Sequence, residues 1–284
     1  MTVPSYESFE EAIHYLQDSI TIDKPDNTAY TDLLIAVIVT DGEHSPSLAG
    51  WTNIQNLSTV AVSIATFYKI AGESEPDDYT FTWTGSTAVY SFIIRITGHD
   101  TSTPINISGQ DSNASASPTC PSVTTTKDDC LILRIFGADD KDITTDDGEP
   151  SGTTVITVDH SGGPLEVDKV SGGAAYESKV TASATGAAEF ALTASEQWIA
   201  ITIGIQPTGA VSSSISASIS ASPSISASLS ASISASMSAS MSASASISGS
   251  PSASLSASKS ASMSASMSAS VSSSRSGSRS ASLS

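Results

Sequence analysis

Positive charge is scarce in this chain, and histidine and cysteine are scarcer. Of 284 residues, 11 are Lys or Arg, 4 are His and 2 are Cys, against 29 Asp and Glu. So few basic residues argue against nucleic acid as a partner, because phosphate binding rests on clustered Lys and Arg. No stretch approaches the about 18 consecutive apolar residues that span a bilayer, so no membrane helix is expected. Met1 to Ile20 contains no Lys or Arg and no apolar run, so no secretory signal is expected there. HExxH, Gly-x-Ser-x-Gly, phosphate-binding glycine loops and CxxC pairs are all missing. These absences point away from an enzyme.

What is present at the C-terminus is a strict period of two. Every even-numbered position from Ser212 to Ser284 is serine. The odd positions are mostly Ala, with Ile, Leu, Met and Val between them, as in Ser226-Ala227-Ser228-Leu229. On a helix this pattern scatters apolar residues over all faces. On an extended chain it puts serine on one face and apolar residues on the other. Two readings stay open: a β-fibre or arm that zips with other chains, and a disordered or glycosylated Ser-rich spacer. Pro223 and Pro251 lie near slips in the Ala spacing and would break a ladder. Fully extended, the arm would reach roughly 240 Å at about 3.3 Å per residue.

Charge divides the chain at the same place. All 29 acidic residues and eight of the basic ones precede residue 209, a surplus of 21 negative charges; Lys259, Arg275 and Arg279 lie beyond it. The organisation expected is an N-terminal segment over 1–18, a β-sandwich domain over 19–208 and a Ser-rich repeat tail over 209–284. Ser8 and Glu11 have capping-box spacing, and Phe9, Ala12, Ile13 and Leu16 follow a helical period, which predicts a short helix in the first segment. After it come about ten β runs separated by Gly-rich turns. Leu33-Leu34-Ile35-Ala36-Val37-Ile38-Val39 is apolar on both faces and reads as a central strand. Tyr79, Phe81 and Trp83 alternate with Thr. Ser102 to Thr126 is polar and reads as a long excursion at one end. The fold class expected is all-β: an antiparallel, jelly-roll-like sandwich followed by an extended low-complexity arm.

Candidate sites are few. Asp139, Asp140, Asp142, Asp146, Asp147 and Glu149 crowd one loop and offer oxygen ligands for calcium, without EF-hand spacing. The plainer reading is a solvated acidic loop. Cys120 and Cys130 flank nine residues and form either a disulfide or a reduced pair, one thiol packing at a strand start. His14, His44, His99 and His160 are scattered beside turns and suggest no catalytic pair. Glu177 and Glu189 fall on strands and read as outward polar positions. Trp51, Trp83, Tyr90 and Trp198 could stack on sugars, though core packing is the commoner fate. Asn56, Asn106 and Asn113 open Asn-x-Ser sequons, meaningful only where glycosylation occurs.

The runs Asp32-Leu33-Leu34-Ile35-Ala36, Asp41-Gly42, Gly50-Trp51-Thr52, Phe67-Tyr68-Lys69-Ile70-Ala71 and Tyr79-Thr80-Phe81-Thr82 resemble a set of phage-associated and environmental surface proteins. Leu131-Ile132-Leu133-Arg134, Gly137-Ala138-Asp139-Asp140 and Thr193-Ala194-Ser195-Glu196-Gln197-Trp198 look like its second half. The Ser-x tail is similar to those of virion appendage proteins. The resemblance implies a non-enzymatic structural component of a tailed bacteriophage particle, in a virion or an extracellular filament. Its implied partners are copies of itself, other virion or filament proteins and host surface glycans. The alternative is a carbohydrate-binding or adhesion subunit of a cell-surface filament.

Overall fold

The structure is a computed structural model that describes residues 2–162 and 169–209; the Ser-x repeats of 210–284 lie outside the described residues. It is all-β, and no helix occurs among the described residues. The strands are β1 (Ser5–Asp23), β2 (Leu33–Asp41), β3 (Thr52–Ser58), β4 (Val62–Ile70), β5 (Asp78–Thr97), β6 (Ile105–Ser115), β7 (Thr119–Cys120), β8 (Cys130–Asp139), β9 (Thr154–Gly162), β10 (Lys169–Lys179), β11 (Ala188–Glu189) and β12 (Glu196–Ile205). They form two antiparallel five-stranded sheets, ordered β1-β5-β2-β4-β3 and β6-β12-β8-β10-β9, and a small β11-β7 pair.

The double-sided apolar pattern of β2 places it at the centre of the first sheet, between β5 and β4. Its odd residues Leu33, Ile35, Val37 and Val39 join Tyr90, Phe92, Ile94 and Ile96 of β5. They meet Leu131, Leu133 and Ile135 of β8 and Ile199, Ile201, Ile203 and Ile205 of β12 in one core shared by both sheets. The domain is therefore sandwich-like. The even residues Leu34, Ala36 and Ile38 face outward into a second cluster with Ile20, Ile22, Tyr79, Phe81, Ala65 and Phe67.

That second cluster exists because β1 and β5 bend together. Register shifts between His14 and Ser19, and positive φ at Leu16 (50°) and Gly85 (91°), mark the bend. Beyond it, Ser19–Asp23 pairs with Asp78–Thr82 and lies over the outer face of its own sheet. The runs 79–84 and 88–97 are thus one continuous strand, bent at Gly85.

Two expectations are corrected. Residues 8–18 are strand, not helix: β5 pairs continuously with Ser8 to His14, from Ser8 opposite Arg95 to His14 opposite Val89, and again at Gln17 opposite Thr87. A helical period in a short amphipathic segment does not outweigh such pairing. β1 belongs to the compact unit Met1–Gly209. Within the polar excursion, Ile105–Ser115 is edge strand β6 on β12. An edge strand with a wet face needs little apolar residue, so its pattern is faint.

Strand order also departs from the jelly-roll-like form. β1 to β5 build one five-stranded sheet, and β6, β8, β9, β10 and β12 the other. A jelly roll, with its two Greek keys, passes the chain repeatedly between sheets. Apolar alternation sets which face of a strand is buried; it does not set which sheet the strand joins.

Candidate functional site

The acidic loop follows β8. Asp139 closes the strand opposite Val170, and Asp140 turns the chain with φ 63°. Burial pushes the Asp139 carboxyl up. Its Oδ1 accepts the Asp140 N–H at 3.1 Å, Asp140 Oδ1 accepts from Lys141 at 2.7 Å, and Asp147 Oδ1 accepts from Gly148 at 2.8 Å. Asp140 also lies 3.8 Å from the buried ammonium of Lys169. These carboxylates are spent on local turns and one ion pair. Among the described residues no three His, Cys, Asp or Glu side chains converge in a group able to hold a metal.

One acidic neighbour was not legible from the loop itself. Glu196 opens β12, which pairs with β8 from Trp198–Ala138 onward. Its carboxyl is pushed up, first by burial, then by a hydrogen bond and charge from Asp142 and by the charges of Asp139 and Asp140. Strand pairing brings it there; nothing in the local sequence around 139–149 signals it.

Both cysteines are buried free thiols. Cys120 Sγ donates to Ile135 O at 3.4 Å and Cys130 Sγ to Lys127 O at 3.3 Å. Burial raises their pKa values to about 12 and about 11. Thiols held protonated in this way are poor nucleophiles and poor metal ligands.

The histidines stand apart. His44 Nδ1 meets Thr84 O at 3.0 Å. His99 is buried with neither ring nitrogen partnered, and burial pushes its pKa down. His160 Nδ1 is likewise unpartnered, and the His14 side chain is exposed. Trp198 is core and donates to Ser115 Oγ at 2.9 Å. Trp51 packs edge-on against Tyr79 and Phe81, and Trp83 flanks the same cluster.

The densest polar contacts pin strands together. Arg134 donates to Glu177 Oε1 at 2.7 and 3.1 Å, to Thr202 Oγ1 at 3.1 Å, and to the carbonyls of Pro121 and Thr185. Glu177 is therefore an ion-pair partner of Arg134, and Glu189 sits in β11 opposite Thr119. Between the two sheets, Glu11 Oε2 accepts from Tyr90 Oη and Thr157 Oγ1, both at 2.8 Å, joining β1 and β5 to β9. Arg95 and Asp32 pair at 2.6 Å. Such satisfied networks specify strand register.

The start and end of the domain meet. Thr2 N donates to Thr208 Oγ1 at 2.9 Å. Gly98, with φ 73°, packs beneath them: a Cβ there would stand 2.1 Å from Val3 O.

No family model, no curated protein and no solved structure matches this chain.

Proposed function

We propose that this chain is a non-enzymatic structural protein of a phage virion: a two-sheet head borne on a Ser-x arm that serves attachment or assembly. The observation that carries the reading is the meeting of Thr2 and Thr208. It sets residues 2 and 208 side by side at one end of the head. A head tethered at one end, next to a long alternating Ser-x segment, suits display on an assembly. The strongly acidic composition of the head favours mutual repulsion and solubility when many copies are displayed.

Immunogold electron microscopy with antibodies to residues 2–209 tests this. Density-purified tailed particles should carry gold at one repeated position, and mass spectrometry should find the chain in the same band. Label confined to cell-surface filaments would replace the virion reading with the adhesion-subunit reading. Chain found only as free protein would overturn both.

A further inference from the structure

The two sheets have one topology. If β1, β2, β3, β4 and β5 are matched in order to β6, β8, β9, β10 and β12, the order β1-β5-β2-β4-β3 becomes β6-β12-β8-β10-β9, which is the order found. We infer that residues 5–98 and 105–207 are two copies of one folding unit. Their inner faces pack about an approximate twofold axis, so that the partner each face fits is a copy of its own unit.

Register carries the inference further than strand order does. Leu33 pairs with Ile70 and Ile96; its counterpart Leu131 pairs with Ser178 and Ile205, the counterparts of both. The β1–β5 ladder skips Glu7 between Tyr6–Ile96 and Ser8–Arg95. The β6–β12 ladder skips Asn106 between Ile105–Ile205 and Ile107–Gly204, the same place. β3 skips Ile54 between Asn53–Phe67 and Gln55–Thr66; β9 skips Ile156 between Val155–Ala175 and Thr157–Ala174. Bulges are retained within families as specific features, so two at matching positions are strong marks of a common unit.

The connections agree as well. Thr31 and Asp129 precede β2 and β8 with φ 71° and 55°; Gly42 and Asp140 follow them with 73° and 63°; Gly50 and Gly152 precede β3 and β9, each with 84°. Gly42 N donates to Ala61 O and Asp140 N to the matching Lys169 O. Even the outer covers correspond. Ile22 pairs with Tyr79 over the first sheet, and Cys120 with Ala188 over the second, in the same register. Phe81 and Phe190 fall at matching positions, and each packs in its outer cluster.

Packing between the halves is reciprocal, as a twofold, isologous interface requires. β1 meets β9 as β6 meets β3; β5 meets β10 as β12 meets β4; β2 meets β10 as β8 meets β4. β2 and β8 are counterparts and touch each other. Few matched residues are identical, among them Leu33 and Leu131, Val62 and Val170, Tyr68 and Tyr176, and Ile96 and Ile205. The likeness is one of backbone, not of side chains.

Two measurements on the full-length chain test the inference. Cross-strand nuclear Overhauser contacts read register directly: skipped residues are expected at Glu7 and Ile54 in one half and at Asn106 and Ile156 in the other. A bulge displaced by one residue in either half would overturn the common unit. Second, a protease site is inserted between the exposed Ser102 and Thr103 and cut after folding. The two pieces should co-elute at the size of the uncut chain and keep its β circular dichroism. Separation in native buffer would overturn the paired-unit interface.

Discussion

Val39 and Gly137 face each other where β2 meets β8: a Cβ on Gly137 would stand 2.5 Å from Val39 Cγ1. They occupy matched positions of the two halves, so the contact lies at the twofold axis. Two branched side chains do not fit at such a point; one half keeps valine and the other gives up its Cβ.

Gly137→Ala should therefore wedge the sheets apart and cost about 1–3 kcal/mol, the usual range for overpacking a closed core. The double variant Val39→Ala with Gly137→Ala should recover much of that loss, because the added methyl enters the space the valine vacates. Urea denaturation of the two single variants and the double one measures the coupling. Strictly additive losses would show that the two residues do not oppose each other.

Arg134 is 1% exposed and its partner Glu177 is 29% exposed. Glu177→Ala leaves a buried guanidinium without its carboxylate and should cost about 3 kcal/mol. Arg134→Met removes the charge itself and leaves Glu177 a path to solvent, so it should cost less, about 1.5 kcal/mol or below. Equal losses would mean that the guanidinium matters through its packing alone.

The raised pKa values of the two thiols predict inertness. Neither Cys120 nor Cys130 should react with a maleimide in the native chain at neutral pH over minutes. Both should react in denaturant. Mass spectrometry counts the adducts, and rapid native labelling of either would contradict its burial.

His99 fixes the sign of one pH dependence. Its folded pKa lies below its ordinary value, so the unfolded chain binds the proton more readily. Its contribution to stability is present above the unfolded value, about 6.5, and falls as pH drops below it. His99→Asn should flatten the decline in melting temperature between pH 7.5 and 5. Asp139 and Glu196, with raised pKa values, act in the opposite sense, favouring the folded state as pH falls. An unchanged slope in the His99 variant would show that the ring does not titrate differently on folding.

Strand composition was legible because a two-sided apolar run such as 33–39 has only one place to go, the middle of a covered sheet. Composition changes near residue 209, where acidic residues end and serine begins to alternate. Less could be read where pairing decides. Edge strand β6 is polar because one face is wet, and residues 8–18 follow a helical period that pairing with β5 overrides. The acidic loop was visible as a cluster, but the contribution of Glu196 to it depends on β12 lying beside β8.

By itself the sequence determined that the chain ahead of the Ser-x repeats is acidic, core-forming and, past its first eighteen residues, built of β runs, since alternation and burial are local properties of residue order. The tertiary structure alone decided the strand order, the bend at Gly85, the pinning of Arg134 by Glu177 and the equivalence of the two halves. Register and bulges are relations between distant strands, held by backbone hydrogen bonds that any non-proline residue can make. Two segments can therefore share all of them while sharing few side chains.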